Sequence, residues 1–154
     1  RRGSSSSFES SINGRECRVI FPSDADLGYL YVQEAIMNSV RELLKKRAEI
    51  VFPQKLKQVS ERIGVPYGKC KVNTRISKAW AFFIPSTRDI EISLSAIQLP
   101  EENLETLCVH ELMHNFSGEH DGLFWKKFRE LGGQHLYQLD STHDNHRKWP
   151  TLKL

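Results

Sequence analysis

A chain of 154 residues with 39% apolar and 10% aromatic side chains is sized for one domain with a packed core, and it is too apolar for a disordered segment. No apolar run approaches the roughly 18 residues a membrane span requires, and three widely spaced cysteines, Cys17, Cys70 and Cys108, exclude both a disulfide framework and a CxxC zinc knuckle. Such thiols fit a reducing, cytoplasmic setting, although a chain that begins at Arg1 rather than Met allows for removal of a leading segment.

Net charge is only +3, but it is unevenly placed. Residues 41–78 carry eleven Lys or Arg against three Glu, whereas residues 89–121 carry eight acids and no Lys or Arg. The acidic stretch favours a bound cation. The basic stretch reads first as a solvated helical face and second as a surface for nucleic acid or an acidic partner, with no nucleic-acid-binding motif beside it.

In chain order, residues 1–14 are Ser-rich and read as a flexible leader. Residues 17–21 (CRVIF) form a strand candidate closed by Pro22 and the turn formers Ser23, Asp24 and Asp26. From Tyr29 to Ile63 apolar residues recur at helical spacing, Pro53 is expected to end or kink the helix near Val51, and Gly64 terminates it. Three strand candidates follow, Lys69–Ile76, Trp80–Ile84 and Ile90–Leu94, and their short connections suggest an antiparallel meander. Trp80, Phe82 and Phe83 read as core. The third strand alternates Ile90, Ile92 and Leu94 with polar residues, as a strand with one wet face does, and could pair with an extended substrate.

The most informative stretch is residues 104–125, LETLCVHELMHNFSGEHDGLFW. His110, Glu111 and His114 make an HExxH pattern. Helical residues four apart lie about 40° and about 6 Å from one another, so both imidazoles can reach one metal ion from the same face. Leu104, Cys108, Val109, Leu112, Met113 and Phe116 form a separate apolar arc, and the helix carries no Lys or Arg. Two neutral imidazoles that hold Zn²⁺, with a carboxylate beside them to take a proton from an attacking water, are the parts of a metal hydrolase. Gly118 is expected to end this helix, which would let His120 fold back as third ligand. Glu119, Asp121 and Glu130 are the alternatives. Asp121 is a good N-cap for a further helix with Leu123, Phe124, Phe128 and Leu131 at helical spacing, stopped by Gly132 and Gly133. The remainder, residues 134–154, reads as a polar tail in which His135, His143 and His146 could conceivably form a second metal site.

The run VHELMHNFSGEHDGLFW resembles the signature of the YgjP-like metallopeptidase domain, a zincin-type family with HExxH, a downstream histidine and a Phe-Trp pair, here His110, Glu111, His114, His120, Phe124 and Trp125. The resemblance extends over residues 15–133, taken as the metallopeptidase domain. One departure is the turn before the third strand, where the family usually reads Arg-Trp-Gly-Ser-Cys and this chain has Ala79, Trp80, Ala81, Phe82 and Phe83. Metzincins share the histidine spacing, but the glycine they need falls at Ser117.

The expectation is therefore an α+β, zincin-like fold: a long N-terminal scaffold helix or helix pair, a small, mostly antiparallel sheet, the HExxH helix, and a short C-terminal helix. Its function would be that of a zinc metallopeptidase acting on peptide or protein, with His110, His114 and His120 on the metal and Glu111 as general base. The competing readings are a metal-dependent hydrolase of a phosphate-containing small molecule such as a nucleotide, and a nucleic-acid or protein-binding module with structural or idle zinc.

Overall fold

The structure is a computed structural model and describes residues 2–3, 9–13, 16–75 and 78–141. The chain divides into two compact units, Arg1–Arg47 and Ala48–Lys153.

In the first unit, β2 (Glu9–Asn13) and β3 (Glu16–Pro22) pair antiparallel, with Ile12 opposite Cys17, and β1 (Arg2–Gly3) joins the other side of β3 in parallel. Part of the stretch read as a flexible leader is thus strand. The ladder satisfies backbone donors and acceptors that a polar segment would otherwise leave to water. A turn held by Asp26, whose Oδ1 accepts the Gly28 N–H at 2.8 Å, leads into helix α1 (Leu30–Ile63).

Helix α1 runs through Pro53 as one helix, so of the expected end or kink the end does not occur. A proline inside a helix forfeits one backbone hydrogen bond and costs about 3 kcal/mol. Around it Ala48, Phe52, Leu56 and Val59 are buried almost completely, and each large apolar side chain so buried returns about 1.5–3 kcal/mol. Packing therefore outweighs the local penalty. The helix ends as expected at Gly64, whose φ of 70° suits a residue without Cβ, with the N–H groups of Gly64 and Val65 both donating to the Ser60 carbonyl.

The second unit's sheet has the order β4–β6–β5, from β4 (Cys70–Asn73), β5 (Ala81–Ile84) and β6 (Asp89–Ser93). β5 and β6 form a hairpin, but β4 pairs with β6 in parallel, so the sheet is no meander. The outcome follows from burial: Asp89, Ile90, Ile92 and Ser93 are all buried, so β6 has two covered faces and takes the centre. The expectation of a wet face and a free edge on this strand is corrected. Among the described strands of this sheet, the edges belong to β4 and β5. Phe82 on β5 is 49% exposed and is not core.

A 3₁₀ turn (Leu94–Gln98) delivers the chain to α2 (Glu101–Met113), which Pro100 precedes as N-cap residue. Leu104, Leu107, Cys108, Val109, Leu112 and Met113 are buried, and so are Thr106 and Glu111. The apolar arc is therefore as expected except for Phe116, which lies beyond the helix end and is exposed beneath Lys127. Next come α3 (Gly122–Lys127), a π-helical turn (Phe128–Gly132) and α4 (Gln134–Ser141). Helix α4 occupies the beginning of the stretch read as a polar tail. It packs on α2 and buries Leu136 and Asp140, one helical turn apart on one face. His143 and His146 lie outside the described residues.

The two charged stretches meet within this unit. Lys55 pairs with Glu101 at 2.7 Å, Lys71 with Asp89 at 3.0 Å, and Arg62 with Glu105. Opposite charges that looked like two separate surfaces in the sequence partly neutralise one another. Among the described residues, no helix is long and apolar enough to cross a membrane.

Candidate metal centre

Helix α2 ends at Met113, one residue before the second HExxH histidine, and not at Gly118. His114 is the C-cap residue and keeps αR dihedrals (φ −63°, ψ −12°), so it still projects beside His110 as an i, i+4 neighbour. A tight turn through Phe116 follows, and Asp121 then starts α3 by accepting the Phe124 N–H at 2.9 Å on Oδ1 and the Ser117 hydroxyl at 2.8 Å on Oδ2. The short segment between these two anchors carries His120 back to α2. Its position is further held by Trp125, whose indole Nε1–H donates to the His120 carbonyl at 3.1 Å.

The three histidines converge, with one ligand nitrogen from each within 4.8 Å of the others. The Nε2 atoms of His110 and His120 are 2.9 Å apart. Two nitrogens at about 2.0–2.1 Å from one tetrahedral ion would stand roughly 3.3 Å apart, so a small adjustment accommodates a metal. The Nδ1 atoms of two of the histidines are engaged: His110 Nδ1 meets Asp140 Oδ2 at 2.8 Å, and His114 Nδ1 meets the Ser117 carbonyl at 3.0 Å. Each contact fixes a tautomer with Nδ1 protonated and leaves Nε2 as a lone-pair donor. A set of three imidazoles, two of them with outer partners, suits a divalent metal and leaves a coordination position open.

Electrostatics distinguish the groups of the cluster. Burial lowers the affinity of His110 for a proton, but the hydrogen bond to Asp140 and its negative charge outweigh this and raise the pKa. Burial lowers the pKa of His114 and of His120, which favours the neutral form that a metal requires. Glu111, only 5% exposed, has its carboxyl pushed up to about 7 by burial, against the opposing effect of His110. A carboxyl poised near neutrality can take up and release a proton.

Phe124 sits under the centre, its ring 4.9 Å from those of His110, His114 and His120, and it is completely buried. Trp125 closes a side at 6.1 Å from His120 and 6.3 Å from His110. From β5, Phe83 approaches His114 at 6.1 Å.

Of the alternative third ligands, Asp121 is committed to capping α3, Glu130 pairs with Lys126 and Lys127, and Glu119 is exposed outside the cluster. His135, read as part of a second metal site, instead contacts Glu102 at 2.9 Å, and Tyr137 packs against Trp125 and Phe128. Sequence reasoning missed Asp140 altogether. The available signal was the general need of a metal-binding histidine for an outer carboxylate, but nothing local selects this Asp from the others.

An HExxH helix, a returning histidine and an outer carboxylate on an α+β frame form a candidate metal centre. The sequence model of the YgjP-like metallopeptidase domain matches residues 17–135, and the chain belongs to that family of peptidase hydrolases. Two solved structures share the fold. One is the metallopeptidase zymogen abylysin from Pyrococcus abyssi (TM-score 0.53, 15% identity, covering 63% of this chain and 94% of that one). The other is the metallopeptidase zymogen jannalysin from Methanocaldococcus jannaschii (TM-score 0.52, 13% identity, covering 64% and 97%). No curated protein matches.

Proposed function

We propose that the protein is a zinc-dependent peptidase in which His110, His114 and His120 hold the ion and Glu111 is the general base. The observation that carries this reading is the convergence of three imidazoles beside a buried carboxyl with a pKa near 7. Zinc bound there would supply Lewis acidity to a scissile carbonyl and make water more acidic. Glu111 takes the proton from the attacking water on its carboxylate and passes it to the departing amine nitrogen. Phe124 and Trp125 keep bulk water from the centre. The edge strand β5, whose Phe83 lies beside His114, offers free backbone groups to an extended peptide.

The ion pairs made by Lys55, Arg62 and Lys71 take up part of the basic stretch, which weighs against a nucleotide or nucleic acid as its natural occupant. The free thiols Cys17, Cys70 and Cys108 support a reducing, cytoplasmic location. Metal analysis of the purified protein, together with a peptide-library digest of wild type and Glu111→Gln, tests the reading. About one zinc per chain and cleavage lost in the variant are expected. Cleavage undiminished in Glu111→Gln would overturn the role given to Glu111.

A further inference from the structure

Beside the metal centre lies a cleft of about 480 Å³ lined by Gly122, Trp125, Lys126, Arg129 and Glu130. Trp125 is the wall it shares with the centre, since the same indole contacts the rings of His110 and His120. Anything seated in the cleft is therefore within one aromatic ring of the metal-binding histidines.

The cleft is cationic. Glu130 is its only acid, and this carboxylate is held at 3.4 Å by Lys127 and more loosely, at 3.9 Å, by Lys126. Arg129 rests on the Tyr137 ring, its Cζ 4.5 Å from the centroid, and among the described residues no carboxylate pairs with it. An arginine braced on an aromatic ring retains a rigid fork of donors that matches a carboxylate. Arg129 and Glu130 belong to the π-helical turn Phe128–Gly132, a rare geometry that is enriched at functional sites. Gly122, one turn before Trp125, leaves the mouth open: a Cβ built there meets nothing within 4 Å.

We infer that this cleft is a substrate subsite for a carboxylate, in which Arg129 and Lys126 select a peptide with an acidic group near the bond to be cleaved. The inference rests on the peptidase reading above and adds a substrate class to it. The carboxylate has two sources, an Asp or Glu side chain or the C-terminus of the peptide.

The test is binding, which needs no turnover. Fluorescently labelled peptides of one neutral sequence, with Glu moved stepwise along it and with the C-terminus free or amidated, are titrated against zinc-loaded Glu111→Gln and against the same protein carrying Arg129→Glu or Gly122→Leu. One Glu position, or the free C-terminus, is expected to tighten binding roughly five- to tenfold. Which of the two does so identifies the source. Arg129→Glu should abolish this gain and transfer it to the peptide with Lys at the same position, and Gly122→Leu should block the cleft for all charged variants while the neutral peptide still binds. Arg129 is exposed, so its replacement spares the core. Affinity that ignores the acidic group, or selectivity that survives Arg129→Glu, would overturn the subsite while leaving the peptidase reading intact. Carboxylate-selective binding by a wild type that cleaves none of these peptides would do the reverse, and failure to bind any peptide would overturn both.

Discussion

His110 Nδ1 and Asp140 Oδ2 lie 2.8 Å apart, joining the HExxH helix to a helix thirty residues downstream. Asp140 has no solvent exposure, and its carboxylate both orients the imidazole and raises its basicity. Asp140→Ala should weaken zinc binding by about 10–100-fold, measured by competition with a chromophoric chelator. Asp140→Asn retains an acceptor without the charge and should fall between. Equal affinity in all three proteins would remove Asp140 from the metal centre.

In the proposed mechanism Glu111 belongs to the chemistry and not to the ligand set. Glu111→Gln preserves volume and should retain stoichiometric zinc while turnover drops by at least about 10²-fold. Relieving a buried carboxyl should also leave the thermal midpoint unchanged or raise it. Loss of zinc together with activity would show instead that Glu111 contributes to metal retention.

Two glycines near the centre should respond in opposite ways. A Cβ on Gly132 would meet Val109 Cγ1 at 2.7 Å and the Phe128 ring at 3.3 Å, so Gly132→Ala should destabilise by about 1–3 kcal/mol as the contact with α2 is forced apart. A Cβ on Gly118 meets nothing within 4 Å, and its φ is not in the left-handed region. Gly118→Ala should be neutral or stabilise by up to about 1 kcal/mol through the unfolded chain. Denaturant midpoints of the two variants decide the matter.

Asp89 sits at the start of β6 and accepts from Lys71 Nζ at 3.0 Å and from the Lys69 N–H at 2.8 Å, which together hold its pKa below the usual carboxylate value. A depressed folded-state pKa contributes stability that is fully present above the unfolded value and is lost as pH falls through the folded one. The window is therefore acidic, from about pH 4 downward. Asp89→Asn should flatten that part of the stability–pH curve, followed by circular dichroism under mild urea, and should lower stability at neutral pH. A wild-type slope in the variant would show that other carboxylates govern acid unfolding. Gly68 is bound to the same arrangement, since a Cβ there would strike Asp89 Oδ1 and the Thr87 carbonyl.

Much of the site could be read without coordinates because its pieces are local. The i, i+4 relation of His110 and His114, the cap at Asp121 and the stop at Gly64 each depend on a single turn of backbone, so residue order determines them. The same holds for the apolar stripe of α2 up to Met113 and for the existence of all three strands of the second sheet. What local order could not settle was decided by burial. Helix α1 continues through Pro53 because Phe52 and Leu56 are fully buried around it. β6 goes to the centre of its sheet because both its faces are covered, which moves the free edge to β5. Asp140 left a seemingly polar tail because Leu136, one turn earlier, is buried on the same face against the unit's core and carries the carboxylate to His110. The sequence by itself singled out the three histidines that converge and the helix from which His110 and His114 project. Only the tertiary structure decided which carboxylate supports them and which strand and cleft border them, since those partners lie far apart in the chain and are chosen by the free energy of packing.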